Sequence, residues 1–404
     1  MSERRLLAAL DVGTSKICCV VAERREEGLS VLGVGMAPAQ GLRKGVVINI
    51  EEAGRGISQA RREAEAQAYE EIRQVVTGIA GSHIESRVSQ GVIALKEGEV
   101  RPEDVERVLE AARAVTLSRD RVILHVLPQE YSVDHQAGIL QPVGMSGVRL
   151  EVRALLVEAS ASAVQNLVKC ISQAGLEVSA VVLQALASAE AVLTPEEKEL
   201  GVALVDFGGG TTDLAVFVEG ALRYTASVPV GGDLLTTDIT VGLRTPRSAA
   251  ERLKEEKGVC LPEMVDDDET LEVPSLGQKP PRRMSRKLLA EILEARVVEL
   301  LEILNTNLEH SGLKKRLSSG VVFTGGSALL SGLPELAEQI FELPVRVGYP
   351  VRLSGLSEEV HHPRLSTAVG LLLYADRYLE QPPEEEPSPG GWLDRFKKIL
   401  GLGG

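Results

Sequence analysis

Asp206-Phe207-Gly208-Gly209-Gly210-Thr211-Thr212-Asp213 is the stretch whose reading decides the fold. It follows a short apolar run, Val202 to Val205, and precedes another, Leu214 to Val218. The same unit occurs once before. Asp11-Val12-Gly13-Thr14-Ser15-Lys16 lies between Leu6 to Leu10 and Ile17 to Ala22, 195 residues earlier. Each unit predicts strand, tight turn, strand. Glycine accepts positive φ and lets backbone approach a ligand. Successive turn amides form a nest suited to anions. An Asp at a strand end suits hydrated Mg²⁺, which prefers one or two carboxylates plus phosphate and water. Asp11 and Asp206 are therefore candidate water-mediated Mg²⁺ carboxylates. Two such hairpins facing each other would grip a polyphosphate from both sides.

A third segment strengthens the pattern. Gly320-Val321-Val322-Phe323-Thr324-Gly325-Gly326-Ser327-Ala328 runs from an apolar strand into a Gly-Gly turn, with a helix expected from Pro334. The three segments in this order resemble the actin-type ATPase superfamily, where they are the first phosphate loop, the second phosphate loop and the adenosine loop. The expected fold is α/β and actin-like. It has two ribonuclease-H-like domains around a nucleotide cleft and an inserted small α/β module.

The chain has 404 residues, enough for two or more domains, and is 44% hydrophobic but only 3% aromatic. Its core must be mostly Val, Leu, Ile and Ala. A net charge of −14 argues against nucleic acid as the main partner. Cys18, Cys19, Cys170 and Cys260 have no metal-binding spacing. They read as buried reduced thiols, which fits a cytoplasmic protein. No uninterrupted apolar run reaches the ~18 residues of a membrane span.

The expected division is 1–81 with 162–195 as the first domain, 82–161 as the inserted module and 196–380 as the second domain. Within the module, strands are expected at 88–95, 122–126 and 150–157, with a helix at 102–115. A helix over 245–258 is read with Thr245 as cap, Pro246 in the first turn and Gly258 at the C-terminal cap. A long helix is expected over 285–310. Residues 381–391, rich in Pro and Glu, read as a linker, and 392–404 as an amphipathic segment.

Within the superfamily the chain most resembles the FtsA family of bacterial cell-division proteins. The resemblance spans nearly the whole chain. It includes Asp11 to Lys16, His125-Val126-Leu127-Pro128-Gln129-Glu130-Tyr131, Pro142 to Arg149, Leu193 to Gly201, the 206–213 loop and Leu365 to Leu371. It implies ATP and Mg²⁺ in the cleft, with at most weak ATPase activity, and self-association into filaments. It also implies binding of the FtsZ C-terminal tail, recruitment of later division proteins, and peripheral attachment to the cytoplasmic side of the inner membrane at the division site.

By the same resemblance, Gly13, Thr14, Ser15 and Lys16 contact the β- and γ-phosphates. Gly208, Gly209, Gly210, Thr211 and Thr212 form the opposing clamp. Gly325, Gly326 and Ser327 approach adenosine, and Glu251 and Lys254, one helical face, read ribose and adenine. Gln184 takes the water-positioning place, although a plain helix-start role stays open. Arg296 and Glu299 match positions linked to the FtsZ tail, with a solvated helical pair as the alternative. Gln129, Glu130 and Tyr131 serve either structure or self-assembly.

The last segment is read from its own residues. At 100° per residue Trp392, Leu393, Phe396, Ile399 and Leu400 fall within an arc of about 120°. Asp394, Arg395, Lys397 and Lys398 fill the rest, a local charge of +2. Aromatics beside cations suit an anionic lipid headgroup boundary. Two other readings remain open: a small-molecule kinase of the same superfamily, and a pilus-assembly-type adaptor.

Overall fold

The strands β1 (Arg5–Val12), β2 (Lys16–Arg25) and β3 (Gly28–Pro38) form an antiparallel meander. Their central residues are buried on both faces, Cys18 and Cys19 included. A sheet wet on one face would alternate apolar and polar; this one does not, because helices cover both sides. All four cysteines are buried and free of disulfides, and burial pushes the Cys18 thiol up to about 11. The structure, a computed structural model, describes residues 5–277 and 280–379. The expected linker 381–391 and the amphipathic segment, with Trp392, Leu393, Phe396, Lys397, Ile399 and Leu400, lie outside the described residues.

After the meander come the two-residue strands β4 (Leu42–Arg43) and β5 (Val46–Val47), then helix α1 (Ile50–Ala68). Asn49 caps α1, its side chain accepting from the amides of Glu51 and Glu52. The helix crosses β3 where glycines permit close approach: a Cβ on Gly33 or Gly35 would collide with the carbonyls of Ala64 and Ala60. Strand β6 (Gln74–Ile79) then joins β1 in parallel.

The chain next builds a four-stranded sheet from β7 (Glu85–Ala94), β8 (Arg121–Val133), β9 (Gln136–Ile139) and β10 (Arg149–Ser160), in the order β7-β10-β8-β9, covered by α2 (Pro102–Arg113). Strand β8 is longer than the expected 122–126. It runs through Pro128, with a register shift opposite Arg153 and Ala154. A bulge there accommodates a residue that cannot donate to the ladder. This unit has its own core around Val108, Tyr131, Leu150 and Val152. The far ends of β8 and β10, at Val122, Leu155, Val157 and Ala159, belong to the core of the first sheet.

Helix α3 (Ala161–Gln173), strand β11 (Glu177–Leu183) and helix α4 (Gln184–Val192) return to the first sheet. After the short α5 (Pro195–Leu200), the pattern repeats. Strands β12 (Val202–Phe207), β13 (Thr212–Val218) and β14 (Ala221–Val228) form a second antiparallel meander. Helices α6 (Gly232–Gly242) and α7 (Arg247–Lys257), the hairpin β15 (Thr270–Val273) and β16 (Arg282–Ser285), and the long α8 (Arg286–His310) follow. Strand β17 (Val321–Thr324) pairs in parallel with β12, and after α9 (Leu333–Phe341) strand β18 (Val345–Val347) extends the sheet. The two sheets thus share one order, β3-β2-β1-β6-β11 and β14-β13-β12-β17-β18.

Two details differ from the sequence reading. Thr245 does not cap α7; its Oγ1 donates to the Pro274 carbonyl at 2.7 Å, and Pro246 occupies the cap. Gly258 ends α7 at φ −65, not in the left-handed region. The packing also divides the chain differently near its end. Strand β19 (Ser354–Gly355) pairs with β3. After the single turn α10 (Ser357–Val360), helix α11 (Ser366–Tyr374) packs in the first sheet's core through Ala368, Val369, Leu371 and Leu372. Helices α4 and α11 cross between the two sheets, in contact at Gly370, where a Cβ would collide with the Ala187 carbonyl. Among the described residues no helix is long and apolar enough to cross a membrane.

Candidate nucleotide cleft

The β1–β2 and β12–β13 turns meet tip to tip. A Cβ on Gly209 would collide with Ser15 Oγ, and one on Gly210 with Thr14 Oγ1. The contact between residues about 195 apart in sequence is made by backbone where side chains would not fit. Each turn is closed internally, by Gly13 N to Lys16 O and Gly208 N to Thr211 O, both 3.0 Å. The amide of Gly45 donates to Thr14 Oγ1 at 3.0 Å and orients that hydroxyl.

Asp11 and Asp206 are both buried at the ends of their strands. Lys16 Nζ donates to Asp11 Oδ2 at 2.9 Å, and Gln184 Nε2 to Asp11 Oδ1 at 3.3 Å. Gln184 thus stands on the cleft floor beside the first carboxylate. Burial pulls the Lys16 ammonium down, but the charges of Asp11 and Asp206 outweigh it and the net shift is upward. Burial raises Asp206, and the Asp11 charge raises it further, so the two carboxylates sense one another. Opposing this, Ser188 Oγ and Thr367 Oγ1 donate to Asp206 Oδ2 at 2.6 and 3.2 Å.

The structure turns some expected ligands elsewhere. Thr211 Oγ1 donates to Asp213 Oδ2 at 3.0 Å, and Thr212 Oγ1 to the Val230 carbonyl at 2.8 Å. What faces the first turn is therefore the Gly209–Gly210 backbone. Behind it, the amides of Gly232 and Asp233 donate to the carbonyls of Gly208 and Gly209 at 3.0 and 2.8 Å. The first turn of α6 holds the loop in place. Burial raises the Asp213 carboxyl to about 7.

Gly325 closes the third wall at φ +88, where a Cβ would lie 2.5 Å from Asp206 Oδ1. Ser327 Oγ donates to the Gly208 carbonyl at 3.3 Å, joining the third loop to the second. Lys254 Nζ donates to Glu251 Oε1 at 2.9 Å, Thr236 Oγ1 at 2.9 Å and the Gly232 carbonyl at 3.1 Å. Glu251 also accepts from Thr236. The pair is thus tied to the first turn of α6 through Thr236 and Gly232. Arg296 and Glu299 are not in the cleft. Arg296 Nε donates to Asp238 Oδ2 at 2.7 Å and its guanidinium also pairs with Glu299, joining α8 to α6.

Ser188, Thr367, Thr236 and the Gly231–Gly232 pair were not singled out from sequence. Only the glycine doublet carried a local signal; the hydroxyls carry none, since nothing local says which strand end they will meet.

The residues fit a magnesium–polyphosphate. Gly209, Gly210 and Gly325 bring the backbone of the second and third turns closer to Ser15, Thr14 and Asp206 than any Cβ would allow. Among the described residues no three His, Cys, Asp or Glu side chains gather as a metal cage. A cation held by one or two carboxylates with phosphate and water needs none.

Two meander-based sheets of one order, hinged by crossing helices around paired glycine turns, define an actin-like fold. Among solved structures the chain is similar to the PilM-PilN type IV pilus biogenesis complex, at TM-score 0.65 and 19% identity over 91% of this chain and 97% of that one. It is also similar to the MamK double helical filament, at TM-score 0.55 and 14% identity, over 94% and 100%. The family model described as "Cell division protein FtsA" matches residues 203–370, and the "SHS2 domain inserted in FTSA" matches 81–158. Cell division protein FtsA of Pseudomonas aeruginosa is 47% identical over 92% of this chain and 89% of that protein. That of Neisseria meningitidis is 43% identical over 98% of each. The chain belongs to the FtsA family of cell-division proteins.

Proposed function

We propose that the chain binds Mg·ATP in the cleft, polymerises, and tethers the FtsZ ring to the cytoplasmic face of the inner membrane at the division site, where it recruits later division proteins. The observation that carries the nucleotide reading is the tip-to-tip meeting of the two glycine turns, with Asp11 and Asp206 beside them. Bound Mg²⁺ would supply charge neutralisation of the phosphates through water and the two carboxylates. Lys16 offers a compact point charge to phosphate. The amides of the two turns offer the remaining donors. Gln184, already bonded to Asp11, is placed to orient water and is a poor base, in keeping with weak hydrolysis.

The C-terminal segment supports the membrane part of this reading through its sequence alone. About nine helical residues are too few for a stable helix in water. The segment would fold on lipid, bind weakly alone and bind tightly through avidity in a filament. Arg296 and Glu299 are proposed for the FtsZ tail with one condition: the tail carboxylates must displace Asp238 or Glu299 from the guanidinium. Electron microscopy of the full chain with Mg·ATP on an anionic lipid monolayer tests nucleotide, assembly and membrane together. Filaments on lipid that need ATP are expected; nucleotide-independent, lipid-indifferent monomers would end the proposal.

A further inference from the structure

The charges of the cleft do not balance for an anionic ligand. Lys16 is matched by Asp11 and Lys254 by Glu251, which leaves the buried Asp206 uncompensated. One Mg²⁺ turns this net −1 into +1, which still falls well short of the several negative charges of a polyphosphate. Another cation should stand at the cleft wall, and the segment His361-His362-Pro363-Arg364 brings one.

The backbone fixes where this segment runs. The Pro363 carbonyl accepts from the Gly325 amide at 3.2 Å, so the segment lies against the third glycine turn. Four residues after Pro363, Thr367 Oγ1 donates to Asp206 Oδ2 at 3.2 Å. Arg364 lies between these two anchors. Its Cβ is 3.6 Å from the position a Cβ on Gly326 would take. The side chain is exposed, and among the described residues it has no carboxylate partner. Cys18, the residue facing Asp11 across the β1–β2 ladder, is pushed up by burial, and the Arg364 charge is the smallest of the effects that oppose this. His362, held below the usual range first by burial, feels both Arg364 and Lys16. The His362 ring stays with the backbone, its Nδ1 accepting from the Arg364 amide at 3.2 Å.

We propose that Arg364 is a phosphate-binding cation of the cleft, reaching from beside the third glycine turn toward the polyphosphate that Lys16 meets from the other side. This rests on the reading of the cleft as an ATP site and adds a residue to it. An arginine suits the task. Its planar fork can bond two phosphate oxygens at once, and it is more weakly hydrated than an ammonium. Among the described residues no ion pair of Arg364 must break first.

The test is calorimetric titration of the full chain with Mg·ATP and Mg·ADP, with adenosine measured by competition. Wild type is compared with Arg364→Ala, Arg364→Gln and Arg364→Lys. Because the side chain is exposed, thermal melting of all four proteins should coincide. The expected result is about a tenfold loss of ATP and ADP affinity in the alanine and glutamine variants. Adenosine affinity should be unchanged, the lysine variant intermediate, and the salt dependence of ATP binding shallower without the charge. If wild type binds ATP and Arg364→Ala binds it equally well, the inference is overturned. Equal losses for ATP and adenosine would also overturn it, since the residue would then act by shaping the third turn. Failure of wild type to bind ATP at all would instead remove the underlying reading of the cleft, and Arg364's role with it.

Discussion

Ser188 Oγ donates to Asp206 Oδ2 at 2.6 Å, tying the helix that crosses between the two sheets to the strand end that carries the second glycine turn. Thr367, on the other crossing helix, donates to the same oxygen. One carboxylate oxygen is therefore held by both hinge helices, and any rotation of the sheets about them must move this junction. Ser188→Ala and Thr367→Val should each lower unfolding free energy by about 1–2 kcal/mol. The double variant should lose more than the sum, because the first removal leaves one donor and the second leaves none. Urea denaturation of the four proteins measures this; simple additivity would count against a shared acceptor.

Gly210→Asp places a carboxylate and a Cβ where Thr14 Oγ1 already stands. The side chain must displace the first turn and brings a third negative charge to Asp11 and Asp206. ATP affinity should fall by at least about tenfold. Unchanged affinity by calorimetry would place the nucleotide elsewhere.

Asp213 gives a pH signature. Burial raises its carboxyl to about 7 in the folded protein, against about 4 in an unfolded chain. Between those values the folded state binds the extra proton, so stability decreases as pH rises. The contribution is fully present below pH ~4 and is lost as pH passes through ~7. Wild type should therefore melt a few degrees lower at pH 8 than at pH 5.5 relative to Asp213→Asn, which cannot ionise. Parallel melting curves for the two proteins over that range would contradict the shift.

Gln129, left between structure and assembly by its sequence, is buried and bonds across to the second sheet. Its Nε2 donates to the carbonyls of Leu222 and Arg223 at 3.2 and 3.3 Å. Ser86 Oγ donates to the Thr225 carbonyl nearby, at 3.3 Å. The inserted unit thus clasps strand β14. Gln129→Leu leaves the carbonyls without this donor and should cost about 1–3 kcal/mol. Chemical denaturation would show it; a neutral substitution would mean that water replaces the amide.

Trp392→Glu or Phe396→Glu puts a charge into the apolar arc of the C-terminal segment. Each should release the chain from anionic liposomes in a sedimentation assay while leaving ATP binding intact. Retention of both variants on lipid would exclude the segment as the anchor.

The repeated Asp–Gly turns, the strand–turn–strand units around them and the long helix from Arg286 were legible along the chain because each is a local pattern. Apolar runs set the strands, glycines set the turns, and Ser285 caps the helix with its own hydroxyl. Pro128 misled because its missing amide argues for a strand end, whereas a bulge lets β8 continue to Val133. Thr245 misled because its hydroxyl had a better acceptor in Pro274, distant in sequence.

What the sequence by itself determined is the duplicated phosphate-type turns, the membership of an actin-like class and an amphipathic C-terminal segment. The turns and the segment follow from periodicity and turn chemistry, which act over a few residues; the class follows from the resemblance of the three glycine segments, in their order, to a known superfamily. Only the tertiary structure decided that Ser188 and Thr367 share Asp206, that Arg296 already has carboxylate partners, and that helix α11 returns to the first core. It alone brought Arg364 beside the third glycine turn. Hydroxyls and guanidiniums find partners by distance in space, and chain order does not encode that distance until both sheets have folded and the crossing helices have brought them together.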